Sequence, residues 1–307
     1  MLRIDFHSHQ FPAEWGKKMD EYYPNAPRLP LRPWDRQLRL DEMDQAKVDI
    51  EILSNPGMYG IVDEHSPELC RIVNDAIAET RRSEPERFRA FAHIPFNSMD
   101  AAVSELARAI DELGCIGVMV TSNVGGRYLH TPDFLPFWDE VSRRRVPVFL
   151  HPTQPAGYQD DEMPVLVHYE FDTTLSATKL IYSGIYERFP ELILILGHLG
   201  GAMPFLSRRI DVGYDVPSFG EKYKQIPRRP SEYTRKLWFE TGLCYYKPAF
   251  ECAVELVGFD QIVYGTDHFS VDVPFMKWTN QFLESLDLSP VDQEKIYCRN
   301  AERILKL

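Results

Sequence analysis

Two histidines separated by one residue follow the first apolar stretch of the chain. His7 and His9 come directly after residues 2–6. In an extended backbone, residues i and i+2 point to the same side. The two imidazoles can therefore approach one point, as the ligands of a metal ion must. A pair of surface histidines would show the same spacing, so the spacing alone leaves both interpretations open.

Three further candidate ligands or bases stand at the ends of later apolar runs. They are His151, His198 and Asp267, which follow the runs 146–150, 192–196 and 261–264. Imidazole and carboxylate ligands together suit zinc or manganese. Each residue alone has a plain alternative as a core or capping residue. Five such residues at the ends of apolar strands together predict a metal site.

The elements that must position these residues alternate between apolar strands and amphipathic helices. The predicted strands are 2–6, 49–53, 88–94, 117–120, 146–150, 192–196, 236–240 and 261–264. The predicted helices are 35–47, 67–82, 100–113, 132–144, 173–189, 250–257, 271–285 and 290–305. Ser66 is the expected cap of the second helix, with Pro67 at its first position. The polar, Pro-rich segment 10–34 is too long for a turn and is interpreted as an irregular rim of the active site.

Eight such units in 307 residues predict an α/β protein. The expected fold is a single (β/α)8 TIM barrel, one domain spanning 1–307, with its active site at the C-terminal ends of the strands. An open doubly wound sheet is the alternative. Such a sheet normally carries a Gly-rich phosphate loop after its first strand. Here that turn is His7-Ser8-His9, which favours the barrel.

Composition excludes several classes of function. The formal net charge of -12 makes nucleic acid a poor partner, because phosphate binding requires clustered Lys and Arg. No apolar run reaches 18 residues, and the N-terminus shows no secretory signal, so no membrane span or export is expected. The five cysteines are odd in number and form no C-x-x-C pair. Reduced thiols and a cytoplasmic location are therefore expected.

Short motifs along the whole chain belong together. They are Ile4-Asp5-Phe6-His7-Ser8-His9 with Pro12 and Trp15, Arg39-Leu40-Asp41-Glu42-Met43-Asp44, Arg87-Phe88, His151-Pro152, His198-Leu199-Gly200-Gly201-Ala202-Met203-Pro204-Phe205 with Arg209, and Tyr264-Gly265-Thr266-Asp267. With these motifs the chain resembles the amidohydrolase superfamily. Within it, the chain is similar to the branch of aminocarboxymuconate-semialdehyde, γ-resorcylate and related aromatic acid decarboxylases.

The resemblance implies a mononuclear metal site. The implied ligands of one divalent ion, zinc rather than manganese, are His7, His9, His151 and Asp267. His198 and Asp267 are the implied catalytic residues, with His198 activating water rather than binding the metal. Binuclear members of the superfamily use a carboxylated lysine at the end of strand four. Residues 120–123 contain no lysine here, which favours one metal.

The resemblance also assigns two arginines to substrate binding. Arg39 and Arg209 match arginines that bind substrate carboxylates in this branch, and a guanidinium suits this role as a planar, permanently charged fork. The second arginine comes from the neighbouring subunit in the family, so a homodimer or higher homo-oligomer is expected. Arg208 is adjacent to Arg209. Helical spacing does not choose between the two.

The implied reaction is the non-oxidative decarboxylation of a small aromatic or muconate-type carboxylic acid. A metal-dependent hydrolase acting on a lactone, an amide or a C–C bond of a ring-cleavage product is the alternative, because the metal ligands do not distinguish the two. One departure weakens identity with the muconate enzyme, which carries a tryptophan after the His-Pro pair of strand five, where this chain has Thr153. His93, at the end of strand three, is either a pocket residue or an ordinary one.

Overall fold

A computed structural model describes residues 1–26, 32–56, 61–155, 164–216, 218, 226–269 and 274–307. Eight strands form one parallel sheet in which neighbours follow the order of the chain. They are β1 Ile4–His9, β2 Ile50–Ser54, β3 Phe88–Ala92, β4 Gly117–Thr121, β5 Val148–His151, β6 Leu194–Leu196, β7 Trp238–Glu240 and β8 Ile262–Val263. Parallel strands require long crossover connections, and helices supply them here.

The sheet closes on itself through hydrogen bonds between the first strand and the segment after the last. The backbone N–H of Phe6 donates to Tyr264 O at 2.8 Å, and that of His9 donates to His268 O at 2.8 Å. Closure leaves neither β1 nor β8 as an open edge. The predicted (β/α)8 barrel is confirmed, and its C-terminal rim carries His9, His151 and Glu240 at three strand ends.

Helices cover the outside of the barrel. They are α1 Ala13–Tyr22, α2 Arg36–Ala46, α3 Ser66–Ser83, α4 Met99–Asp111, α5 Leu135–Arg144, α6 Tyr169–Tyr182, α7 Ile185–Arg188, α8 Met203–Asp215, α9 Pro230–Thr234, α10 Lys247–Val257, α11 Phe275–Ser285, α12 Pro290–Glu294 and α13 Asn300–Leu305. A π-helical turn, Pro164–His168, leads into α6, and a second, Lys295–Arg299, joins α12 to α13. Among the described residues, no helix combines the length and the apolar character that a bilayer span requires.

The prediction of an irregular segment over 10–34 is wrong in its first half. Residues 13–22 form α1, which buries Trp15 and Met19 on one face. Residues 27–31 lie outside the described residues. The expected cap at Ser66 is also wrong, because Ser66 is the first residue of α3 and its side chain caps nothing there.

The structure has two helices where one was predicted over 173–189. The first of them, α6, begins four residues earlier than predicted, at Tyr169. The chain turns at Gly184, which separates α6 from α7 and has a φ of 77°, a conformation that glycine adopts without steric cost. The prediction also lacked α8, which follows β6. The first residues of the helix predicted over 271–285 lie outside the described part of the chain.

Aromatic side chains fill the barrel beneath the rim. The ring centroids of Phe6 and Phe91 are 5.2 Å apart, and those of Phe6 and Phe149 are 6.1 Å apart. The three side chains are buried. The imidazole of His7 lies on this layer, with its centroid 4.8 Å from that of Phe149. The packed interior therefore serves as a rigid floor for the residues at the strand ends.

Candidate metal centre

Four of the predicted residues meet at the C-terminal rim of the barrel. One donor atom from each of His7, His9, His151 and Asp267 lies within 4.8 Å of the others. The Nε2 atoms of His7 and His9 are 3.0 Å apart. Asp267 Oδ1 lies 2.9 Å from His9 Nε2 and 3.1 Å from His7 Nε2. Side chains from residues 260 positions apart in the chain therefore converge on one point.

Each histidine of this group is oriented by a partner on its other nitrogen. The three pairs are His7 Nδ1 with Glu240 Oε2 at 2.8 Å, His9 Nδ1 with Ser54 Oγ at 2.9 Å, and His151 Nδ1 with Pro152 O at 2.8 Å. A hydrogen bond at Nδ1 fixes the ring and leaves Nε2 as the ligand atom. All three Nε2 atoms therefore serve the same site.

The donor set and its spacing fit a divalent metal ion. Three imidazoles and a carboxylate are ligands that zinc and related ions take. Ligand atoms about 2.0–2.2 Å from one ion are about 2.8–3.6 Å apart at right-angled or tetrahedral positions. The separations between the donors of His7, His9 and Asp267 are 2.9 to 3.1 Å. Little movement is needed to accommodate a cation.

The carboxylates around the site also favour a cation at this point. Burial alone would lower the pKa of His7, but the carboxylates of Asp267 and Glu240 raise it to about 10. Burial lowers the pKa of His9 to about 4, against the effect of the hydrogen bond to Asp267. Burial and the neighbouring histidines also hold the pKa of His151 well below its ordinary value. One positive charge between Asp267 and Glu240 is therefore favoured, and a metal ion supplies it in place of a proton.

Glu240 is the site residue that sequence reasoning missed. It ends β7, is fully buried, and accepts hydrogen bonds from the backbone N–H groups of His198 and Gly242 as well as from His7. Gly242 and Gly265 lie so close that a side chain at either would meet the carboxylate of Glu240. An acidic residue at a strand end, with a glycine two residues later, was the available signal.

His198 lies beside the four-residue group without joining it. Its ring centroid is 5.2 Å from that of His7, and its Nδ1 hydrogen-bonds with Gly242 O at 2.9 Å. Burial alone would lower the pKa of His198, but the carboxylates of Glu170 and Asp267 raise it above the ordinary value. Its backbone φ is 53°, in the left-handed region that non-glycine residues rarely adopt. Such strain concentrates at functional sites.

Asp267 shares that unusual backbone conformation. Its φ is 55°, and the preceding residue, Thr266, donates its backbone N–H to Asp5 Oδ1 at 3.0 Å. Asp5 also accepts a hydrogen bond from the N–H of His7 at 3.0 Å. One buried carboxylate therefore ties the strand that carries His7 to the turn that carries Asp267. Burial would raise the pKa of Asp267, yet the neighbouring His7 holds it well below the ordinary value.

Arg39 packs beside β1, the strand that carries His7 and His9. Only 2% of it is exposed. Its Nη1 donates to Ser8 Oγ at 2.8 Å and to Glu51 Oε2 at 3.1 Å, and its Nη2 donates to His9 O at 3.2 Å. The guanidinium also lies 5.0 Å from the ring centroid of Trp34. Much of its hydrogen-bonding capacity is therefore used inside the protein.

Arg209 lies away from the group within the single chain. It is an exposed residue of α8, as is Arg208, whose Nη1 forms an ion pair with Asp211 Oδ2 at 2.6 Å. His93 is buried, and its Nε2 accepts a hydrogen bond from the backbone N–H of Asn55 at 2.6 Å. His93 therefore joins the end of β3 to the segment that follows β2.

Comparison with known proteins establishes the family. The family model described as "Amidohydrolase" matches residues 4–307. The chain belongs to this amidohydrolase family. The predicted resemblance is thereby confirmed.

Relatives of this amidohydrolase-family chain are named as decarboxylases. It is 28% identical over 340 residues to 2-amino-3-carboxymuconate-6-semialdehyde decarboxylase of Dictyostelium discoideum, covering 100% of this chain and 92% of that protein. It is 31% identical over 298 residues to γ-resorcylate decarboxylase of Rhodococcus jostii, covering 89% and 88%. The solved dihydroxybenzoic acid decarboxylase of Polaromonas sp., with bound manganese and the inhibitor 2-nitroresorcinol, matches with a TM-score of 0.84 at 26% identity, covering 100% and 97%.

The amidohydrolase-family chain has a site for a divalent metal ion at its barrel rim. The four-residue group and the manganese in the Polaromonas structure agree on this point. A second group, formed by His7, His198 and Glu240, shares His7. Because Glu240 accepts from Nδ1 of His7, its carboxylate orients that ligand from behind the site.

Proposed function

We propose that this protein is a metal-dependent, non-oxidative decarboxylase of a small aromatic or muconate-type carboxylic acid. The observation that carries the proposal is the convergence of His7, His9, His151 and Asp267 on one point, with His198 beside them, in a chain whose relatives are named as decarboxylases. We assign the four converging residues as the metal ligands. Zinc is proposed over manganese because three of the four donors are imidazole nitrogens.

A divalent ion bound there supplies Lewis acidity toward an oxygen of the substrate. His198 Nδ1 is committed to Gly242 O, so Nε2 is the atom that accepts and returns a proton. Asp267 shares Oδ1 with His7 and His9, which leaves its other oxygen to take a proton from water and pass it to the substrate carbon. As the new C–H bond forms, the C–C bond to the carboxylate breaks, and its electron pair stays on the substrate while CO2 departs.

Two arginines complete the proposal as binders of the substrate carboxylate. Arg39 contributes a fixed positive charge beneath His9, through the N–H groups that Ser8, Glu51 and His9 O do not use. Arg209 is proposed to reach the site of a second subunit, because within its own chain it is an exposed residue of α8.

A homodimer, or a higher assembly of the same chain, follows from the proposed role of Arg209. Large apolar side chains are exposed near α8: Leu166 at 74%, Phe171 at 55% and Phe205 at 83%. The start of α8 is joined to α6 by a hydrogen bond from the Ala202 N–H to Thr174 Oγ1. Exposed apolar surface of this kind marks contact sites between proteins. A second copy, whose own α8 would bring Arg209, is the proposed occupant.

The reaction is tested by CO2 release. Purified protein loaded with zinc or manganese is incubated with hydroxybenzoates and carboxymuconate-type acids, and dissolved CO2 is measured alongside loss of the acid. His198→Gln should lower kcat by about 10²–10⁴-fold with metal content unchanged, because it removes the proton carrier. Absence of CO2 from every acid would refute decarboxylation. Turnover of a lactone panel without gas would instead support the hydrolase alternative.

The role of Arg209 in a second subunit is tested by complementation. Arg209→Ala and Asp267→Asn proteins are each inactive under the proposal. In a mixed dimer, one site combines an intact Asp267 with Arg209 from the other subunit. Co-expression should therefore give the mixed dimer up to about half of the activity of the wild-type dimer. If Arg209 acts within its own chain, no intact site exists and mixing restores nothing.

A further inference from the structure

One carboxyl group near the metal centre has no part in the mechanism above. Glu170 lies in the first turn of α6, and its Oε2 atom is shielded from solvent. This atom has no hydrogen-bond partner among the residues that the structure describes. A buried polar atom without a partner costs free energy, and native proteins rarely tolerate one without a reason.

Other buried glutamates of the chain contrast with Glu170. Glu51 pairs with Arg39 at 3.1 Å, and Glu105 pairs with Arg108 at 2.7 Å. Glu240 hydrogen-bonds with His7. Each of these carboxylates has a cationic or N–H partner that offsets its burial. Glu170 has no such partner within the described residues, so its partner must come from outside them.

The backbone around Glu170 is fixed against the turn that carries His198. The carbonyl of Glu170 approaches Gly201 so closely that any side chain at position 201 would collide with it. Thr174 Oγ1 donates to Glu170 O at 2.8 Å and accepts from the Ala202 N–H at 2.9 Å. Glu170 therefore stands on a rigid element beside the site, as a residue that selects a ligand must.

The charges that act on Glu170 locate its carboxyl group. Burial raises its pKa, His198 opposes that rise, and the carboxylates of Glu240 and Asp267 add to it. In return, Glu170 is the carboxylate that most raises the pKa of His198. The thiol of Cys244 also has its pKa raised, by burial and then by Glu170. Together with the contact between the Glu170 backbone and Gly201, these influences place the carboxyl group within electrostatic range of His198.

We propose that Glu170 is a specificity-determining residue that accepts a hydrogen bond from a hydroxyl or amino substituent of the bound acid. In its ionised form, which a cationic His198 favours, the carboxylate only accepts hydrogen bonds, so the matching group on the ligand is an O–H or N–H donor. A ligand that brings this donor satisfies Oε2, and one that lacks it leaves the atom unpaired. Sites built to pair with a donor discriminate strongly against analogues without one. The inference rests on the proposed function for the orientation of the acid at the metal.

The test compares matched acids on the metal-loaded protein. Each pair consists of a hydroxybenzoate or aminobenzoate and the analogue in which one donor substituent is replaced by hydrogen. Dissociation constants are measured by titration calorimetry, and CO2 release is followed separately. For the wild-type protein, at least one donor-bearing acid should bind about 10–100-fold more tightly than its analogue. Glu170→Leu should abolish that ratio, and Glu170→Gln, which keeps an accepting oxygen, should retain part of it.

The thermal midpoint of unfolding supplies a second measurement, because a merely structural role for Glu170 predicts a fall in Glu170→Leu and the proposed role does not. Removing an unpaired buried carboxylate should leave the thermal midpoint of Glu170→Leu unchanged or higher. A matched control is Glu105→Leu, which breaks the pairs with Arg108 and Asn74 and should lower the midpoint. A fall of similar size in both variants would assign Glu170 to the framework and overturn the inference.

The binding data and the gas data separate the two proposals. CO2 release together with an unchanged ratio in Glu170→Leu overturns the role of Glu170 and leaves the decarboxylase intact. A ratio that depends on Glu170 without any CO2 release supports the role and overturns the reaction. Equal binding of both members of every pair by the wild-type protein, or no binding of any acid, also overturns the role of Glu170.

Discussion

Glu240 should determine how tightly the metal is held, although it is not a proposed ligand. Its Oε2 lies 2.8 Å from Nδ1 of His7, and it also accepts from the backbone N–H of His198 at 3.2 Å. Glu240→Gln keeps the size of the side chain and removes its charge. The amide can still accept one hydrogen bond, so the change tests the charge rather than the volume.

The expected loss follows from the geometry behind His7. Carboxylates that orient a histidine ligand commonly contribute about 10–100-fold in metal affinity, or about 1.4–2.7 kcal/mol. Glu240 is fully buried, so solvent does not screen its charge. It also helps Asp267 to raise the pKa of His7 to about 10 against burial, which measures how strongly this point favours a positive charge. We therefore expect Glu240→Gln to lower the affinity for the metal by about 10–100-fold.

The assay is competition with a chromophoric chelator under fixed pH and salt. Glu105→Gln is the matched control, because Glu105 is also buried and pairs with Arg108 and Asn74 away from the metal centre. The control should lower stability and leave the metal dissociation constant unchanged. Glu240→Gln should raise the metal dissociation constant above the value found for the control.

Two results would refute the reasoning about Glu240. One is a metal dissociation constant in Glu240→Gln within a factor of two of the wild-type value. The other is an equal loss in the Glu105→Gln control, which would point to general loosening of the barrel. Either result would mean that the hydrogen bond to His7 does not prepare the ligand.

Three further predictions address the surroundings of the site. Gly265→Ala should weaken metal binding and lower the thermal midpoint, because its new Cβ would lie 2.6 Å from Cδ of the buried Glu240; unchanged values of both would contradict this. Arg39→Met should cost about 3–5 kcal/mol in denaturant unfolding, since it leaves Glu51 buried and unpaired, and adding Glu51→Met should recover much of the loss. Burial holds the pKa of His93 at about 3, below its unfolded value of about 6.5, so its stabilising effect is complete above pH 6.5 and is lost as the pH falls toward 3. Between pH 7 and pH 4.5, the free energy of unfolding of the wild-type protein should therefore fall by about 2–3 kcal/mol more than that of His93→Gln. Equal falls in the two proteins, measured by urea unfolding, would refute the lowered pKa of His93.

The positions of the four converging residues could be predicted from the sequence because the physics that places them is local. A strand buried on both faces is a run of apolar residues, and the first polar residue after it stands at the rim. This rule found His151 after its apolar run, and it found both histidines of β1. The positions of the ligands therefore depended little on the exact bounds of the strands, which differed by one to three residues.

Residues whose burial depends on distant partners could not be predicted in this way. Glu240 and Glu170 are acidic, and an acidic residue is normally assigned to the surface because burying a charge is costly. The burial of Glu240 is offset by His7, more than 230 residues earlier, at 2.8 Å, and by the N–H groups of His198 and Gly242. The glycine two residues after Glu240 marks a close approach, but it does not identify His7 as the partner.

Missed helices have a related explanation. The apolar periodicity of α8 is broken by Phe205, which is 83% exposed, and by Val212, which is 42% exposed. If a second subunit covers this face, the side chains that obscured the helix are those that an oligomer would bury. The predicted irregular segment hid α1 because its proline-rich and polar composition masked the two residues it buries, Trp15 and Met19.

The backbone divides the site into two kinds of residue. His7, His9 and His151 belong to strands and have no positive φ, although the register of β1 against β2 shifts between Asp5 and Ser8. His198 and Asp267, the proposed proton carriers, have φ values of 53° and 55°, each costing about 1–3 kcal/mol for a residue with a Cβ. Contacts such as the hydrogen bond from the His198 N–H to Glu240 must offset that cost. The strand residues therefore occupy extended backbone, whereas the proposed proton carriers depend on contacts such as this one to hold the turns after β6 and β8.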